Sequence, residues 1–147
     1  MNDELYYEDI EIGDEIDTVE RSVSLEQVRA FLAIRGGLSG PSRFTDDAFA
    51  RSEGLPGAIV PGAMNSAMMA QLLTGWSPTV TLKKMEVVFR RVVPHNSPLE
   101  IKGVVTSKDV VDDEPQINCD VFLESEEGAV HVIGHATVVL PMHAPAD

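Results

Sequence analysis

Cysteine is almost absent from this chain: Cys119 is the only one, so no disulfide can form within it. Aromatic residues are few, at 5% of positions, and the most apolar helix-like segment, about 12 to 14 residues, is short of the ~20 needed to span a bilayer. Positive charge is also scarce. Eleven Lys and Arg stand against 24 Asp and Glu, a net charge of -13 at pH 7. Such a field repels nucleic acid and anionic membrane surfaces, so neither is expected as a partner. The N-terminal residues Met1-Asn2-Asp3-Glu4-Leu5 carry neither a basic leader nor an apolar run, and a cytoplasmic protein is expected. Metal ligation has little support. His131 and His135 share one face of a strand pattern, but four residues at ~3.3 Å each hold them ~13 Å apart, and no Cys or carboxylate spacing completes a site.

What is present is a chain of 147 residues, expected to form one domain over its whole length with a sizeable core. Gly13-Asp14 marks a turn before a short strand. Ser24, followed by Glu26 and Gln27, reads as the cap of a helix whose apolar stripe is Val28, Phe31, Leu32 and Ile34, ended by Gly36-Gly37. After a loop over residues 37–44, a second helix is expected from Thr45 as cap, with Asp46 and Asp47 in its first turn, to about Ser52. Between Gly62 and Leu73 the chain is uncharged and rich in Ala, Met and Leu, which predicts a helix apolar on nearly every face and therefore covered by protein. From residue 79 onward four strand-like runs follow, among them Leu99, Ile101 and Val105, then Ile117, Cys119, Val121 and Leu123, then Val130, Val132, Ala136 and Val138, joined by short turns. Cys119 falls in this alternation as a small buried thiol, and residues 142–147 read as a frayed tail.

One early strand, two short helices, one buried helix and four antiparallel strands predict an α+β chain whose curved sheet wraps the long helix, the layout of the hot-dog fold. A sheet of this kind leaves strand edges open, and pairing with a second copy would close them. A dimer is expected.

The chain resembles the MaoC-like branch of hot-dog proteins, the R-specific enoyl-CoA hydratases and dehydratases. The resemblance is carried by Tyr7-Glu8-Asp9-Ile10-Glu11-Ile12-Gly13-Asp14-Glu15, by the loop and helix from Pro41 to Arg51, by Gly57-Ala58-Ile59-Val60-Pro61-Gly62 and by Val87-Val88-Phe89-Arg90-Arg91-Val92-Val93-Pro94. It implies acyl-thioester chemistry, with coenzyme A as part of the substrate and no separate cofactor. In that family an Asp and a His five residues later activate water for addition across the double bond. Setting Pro41 on the motif's proline puts Leu38 and Arg43 at those positions. Leu38 has no proton to exchange and a guanidinium stays protonated, so neither replaces groups that contribute ~10²–10⁴-fold. The resemblance also implies that the backbone amide of Gly62, with Ala63 beside it, faces the thioester carbonyl. Pro61 replaces the family's histidine there.

Further candidates come from the residues themselves. Asp46 and Asp47 are possible carboxylate bases as well as helix-first-turn residues. Arg43 has the planar fork that suits phosphate or carboxylate. Lys83-Lys84 and Arg90-Arg91 are the dense positive pairs, able to hold the phosphates of coenzyme A, and Asn65 joins Pro61, Ala63, Arg90 and Arg91 as a substrate-binding candidate. Met64, Met68, Met69 and Met85 suit either a core or a tunnel for acyl chains. His95 and His143 are expected to be solvated. Two readings of function follow. One is a subunit lacking the dyad, paired with a related hot-dog chain in an enoyl-CoA hydratase or dehydratase (lyase) assembly and binding an acyl-CoA or acyl-carrier thioester. The other is a self-sufficient thioesterase, cyclase or dehydratase, or a scaffold that binds thioesters without catalysis.

Overall fold

The computed structural model describes residues 3–37 and 39–144. A single 3₁₀ turn (Tyr7–Asp9) leads into β1 (Glu15–Arg21), followed by helices α1 (Leu25–Ile34), α2 (Asp47–Ser52) and α3 (Gly62–Thr74). Then come β2 (Thr81–Phe89), β3 (Leu99–Val111), β4 (Glu114–Ser125) and β5 (Val130–Val139). The strands form one antiparallel sheet in the order β1-β3-β4-β5-β2. This is the hot-dog architecture expected from the alternating pattern, with α3 lying against the concave face.

Alternation decides which side of the sheet is dry. Leu99, Ile101 and Val105 of β3, Ile117, Cys119, Val121 and Leu123 of β4, and Val132, Ala136 and Val138 of β5 all point inward and are buried. They meet Met68, Met69, Leu72 and Leu73 of α3, so Met68 and Met69 are core residues, while Met64 and Met85 pack at its margin. Two glycines let the helix approach closely. A Cβ on Gly103 would come 3.2 Å from Leu72 and 2.9 Å from Ile16, and one on Gly134 would come 3.0 Å from Met69. Cys119 is enclosed in this core, and burial pushes its thiol pKa up to about 12.

The hairpin between β3 and β4 turns through Asp112 and Asp113, both at positive φ (49° and 65°), the backbone that a two-residue turn of this twist requires. At the sheet's ends β1 pairs with β3 and β2 with β5. The β2 edge carries Val88 and Phe89, each about half exposed.

Local expectations fail in four places. The cap of α2 is Asp46, whose side chain accepts from Phe49 N–H, instead of Thr45; the Thr45 hydroxyl instead lies 3.1 Å from that of Ser42. Ile34 is not part of the buried stripe of α1 but 88% exposed, because α1 rests on the fold through Val28 and its last turn overhangs. Helix α3 is covered by the sheet on one side only, leaving Ala63, Ala67, Gln71 and Thr74 exposed. The tail is tied down up to residue 144: the His143 ring stacks on Tyr6 at 4.1 Å, its Nε2 lies 3.3 Å from Asp9 Oδ1, and its N–H donates to Glu8. No described helix is long and apolar enough to cross a membrane.

Candidate functional site

The segment leading into α3 is held on both sides. Ile59 N–H donates to Arg43 O at 3.0 Å and Val60 N–H to Val93 O at 2.8 Å. Asp47 Oδ1 accepts from Ala58 N–H at 2.8 Å, and His95 Nε2 donates to Ile59 O at 3.2 Å. Asp47 and His95 therefore clamp this segment from opposite chain neighbours. His95 is part-buried and engaged, contrary to the solvated turn residue expected.

With its approach fixed, α3 begins bare. Pro61 occupies the capping position and supplies no side-chain bond, and the first turn holds no acidic residue. The N–H groups of Gly62 and Ala63 have no acceptor among the described residues, since the first amides to turn back are those of Met64 and Asn65, onto Pro61 O. A 13-residue helix concentrates partial positive charge at such an end, and unpaired amides there favour an anion or a polarised carbonyl oxygen.

Opposite this end, strand β2 stops and the chain turns a corner. Arg90 and Arg91 both donate their backbone N–H to His131 O, at 2.8 and 3.1 Å, and His131 Nδ1 donates to Val92 O at 3.0 Å. His131 is buried beneath the corner, whereas His135 stands exposed on the same strand beside Asp120. The corner and the helix end enclose a cavity of about 290 Å³ lined by Gly62, Asn65, Phe89, Arg90, Arg91 and the apolar Ile59, Val60 and Val92. Sequence had named Gly62, Asn65, Arg90 and Arg91 separately, and the fold brings all four to one recess. Pro61 and Ala63 flank it.

Asn65 is buried, and its Oδ1 has no hydrogen-bond partner. An unpaired buried acceptor costs ~1–3 kcal/mol, which a ligand that donates an N–H or O–H to it would recover. Phe89 forms the apolar wall: a Cβ on Gly62 would lie 3.1 Å from its ring, so a larger residue there would press the ring outward. No ion pair involves Arg90 or Arg91 among the described residues. The lysine pair is different, because Lys83 is bonded to Glu114 and Lys84 lies 3.2 Å from Glu86.

The remaining candidates lie elsewhere. Arg43 points to solvent and binds Glu53 at 2.7 Å. Leu38 lies outside the described residues. Asp46 is occupied as the α2 cap. Asp47 lines a neighbouring recess of about 400 Å³ with Arg51 and His95, on the far side of the lead-in segment. A larger recess of about 540 Å³ at the other end of α3 is bordered by Asp3, Glu15, Asp17 and Arg21, a net negative lining that disfavours an anionic ligand. Neither a carboxylate nor an imidazole lines the cavity at Gly62. Its lining offers backbone amides and guanidiniums but no side chain that exchanges a proton near neutral pH. The signals missed in sequence were Phe89 as a wall and His131 as the support of the arginine corner.

The chain matches no family model, and no curated protein matches it in sequence. Solved structures do share its fold. The (R)-hydratase from A. caviae involved in PHA biosynthesis is 22% identical, with a TM-score of 0.78 over 90% of this chain and 98% of that one. A MaoC-like dehydratase from Rhodospirillum rubrum is 20% identical, with a TM-score of 0.80 over 96% and 99%. A chain of the ChsH1-ChsH2 complex from Mycobacterium tuberculosis is 14% identical, with a TM-score of 0.74 over 88% and 98%.

Proposed function

We propose that this chain binds an acyl thioester at the N-terminus of α3 and acts as the dyad-lacking subunit of an enoyl-CoA hydratase or dehydratase assembly. The observation that carries the reading is the pair of unpaired amides, Gly62 and Ala63, opening onto a cavity without an acid or base. The amides would hold the thioester carbonyl and stabilise charge developing on its oxygen, a contribution that needs preorganised donors and no titratable side chain. Proton transfer would come from a partner chain. The half-exposed β2 edge is the surface by which a second hot-dog chain, identical or related, would pair. Coenzyme A enters as part of the substrate, and no other cofactor is invoked. Solved relatives of this fold include hydratases, dehydratases and a complex of two named components, which supports the reading without supplying the partner.

The alternative is a self-sufficient hot-dog enzyme, most simply a thioesterase using Asp46 or Asp47. Both carboxylates already accept a backbone N–H, and neither lines the cavity, which favours the first reading. Hydration of crotonyl-CoA by the purified chain, alone and with a hot-dog homologue encoded beside it, separates the two. The expected result is activity only in the pair. Strong hydration by the chain alone, or thioester hydrolysis abolished by Asp46→Asn or Asp47→Asn, overturns it.

A further inference from the structure

Coenzyme A's diphosphate is about a dozen covalent bonds from its thioester sulfur, roughly 15 Å when extended. Arg90 and Arg91 line the same cavity of about 290 Å³ as Gly62. A thioester whose carbonyl rests on the Gly62 amide therefore carries its phosphates well beyond this recess. Among the described residues, Arg90 and Arg91 are the only charged ones that line it. Resting on the thioester reading above, we propose that the cavity selects a short acyl group bearing its own carboxylate, as in a dicarboxylic acid monothioester, with that carboxylate held by Arg90 and Arg91.

Two observations favour an anion at this place, and two more describe how the recess is built. The amides of Gly62 and Ala63 are unpaired and α3 has no acidic residue in its first turn. In a chain with 24 Asp and Glu, not one carboxylate lines the recess or pairs with either arginine among the described residues. Asn65 is 3% exposed, lines the recess and has an unpartnered Oδ1, an acceptor that calls for an N–H or O–H donor on the ligand and not for its anionic end. The backbone of the arginine corner is fixed by three hydrogen bonds to His131, which set where the two side chains leave the chain. Planar guanidiniums match a carboxylate in paired hydrogen bonds, and Ile59, Val60, Phe89 and Val92 offer apolar surface to the short carbon chain between carboxylate and thioester. A volume of about 290 Å³ suits a few carbons.

The test compares butyryl-CoA with succinyl-CoA, which have equal carbon counts and differ in a terminal methyl against a carboxylate, by isothermal titration calorimetry on the full chain. Succinyl-CoA is expected to bind at least tenfold more tightly, and raising the salt from roughly 0.05 M to roughly 0.5 M should shrink that preference. Arg90→Ala with Arg91→Ala, checked for folding by circular dichroism, should bring succinyl-CoA down to the level of butyryl-CoA. Equal affinities in the unaltered protein overturn the proposal while leaving the thioester reading in place. So does a double variant that weakens both esters by the same factor, because the arginines would then be holding coenzyme A itself. Failure of both esters to bind overturns the proposal and the thioester reading together. The salt series on the unaltered protein decides the matter if the double variant does not fold.

Discussion

Helices α2 and α3 begin 15 residues apart, at Asp47 and Gly62, and their first turns are built on opposite plans. In α2 the Asp46 side chain caps the helix and Asp47 adds a carboxylate that also reaches Ala58 N–H. Every favourable device for a helix start is spent on local stability. In α3 the cap is a proline, the first turn is uncharged and two amides stay open beside a pair of arginines. The longer helix can do without a cap because its stability comes from Met69, Leu72 and Leu73 packed on the sheet. A six-residue helix has no such reserve. The contrast shows where packing energy frees a helix start from the need for a cap, and substitutions test it.

The largest effect is expected from attacking the packing that lets α3 begin bare. Leu73 is fully buried, and Leu73→Ala should lower unfolding stability by ~2–5 kcal/mol in urea titration. Cys119 provides a second readout. With its thiol raised to about 12, iodoacetamide should leave it unlabelled at pH 8 in the parent protein and label it faster in the variant. Next comes the α2 cap: Asp46→Ala should cost ~0.5–2 kcal/mol, whereas Asp46→Asn, which keeps a capping oxygen, should change the melting temperature little. Equal losses for both would mean that the carboxylate charge matters and the cap does not. For Asp47→Ala the expected loss is ~1 kcal/mol, reduced from a buried charge-assisted bond because the residue is exposed. The smallest stability change, and of opposite sign, belongs to Ala63→Glu. A carboxylate in the first turn of α3 makes it resemble α2 and should stabilise by ~0.3–1 kcal/mol while weakening acyl-CoA binding at least tenfold. Unchanged binding in that variant would falsify the placement of the ligand at this helix end.

Much of the fold was legible because its signals are local. Alternation in residues 99–105, 117–123 and 130–138 identified the inward faces, and the Ser24–Gln27 pair gave a capping box with both bonds formed. Errors arose where neighbouring residues compete. Thr45 and Asp46 can each cap a helix, and the choice went to Asp46 as the Thr45 hydroxyl found Ser42. Ile34 continues the apolar spacing of α1 but extends past the surface that α1 covers. Within the candidate site, Gly62 and Asn65 were readable as one helix start, and Arg90 and Arg91 as a charge anomaly in an acidic chain. That Arg43 would be taken by Glu53, ten residues along, had no local mark. Nor did His131, whose contact with Val92 spans 39 residues and exists only once β5 is beside β2.

That last pairing also sets an order in time. The β3–β4 hairpin closes through a two-residue turn and can form early, from neighbours in sequence. Strand β2 must wait for β5, with two strands and their turns intervening, and its corner is pinned only when His131 arrives. A chain halted before β5 docks would possess α3 and both arginines but no recess between them. During refolding, acyl-thioester affinity should therefore return with the slowest structural phase, after helical circular dichroism has recovered, so that a nascent chain holds no ligand until its final strand is in place.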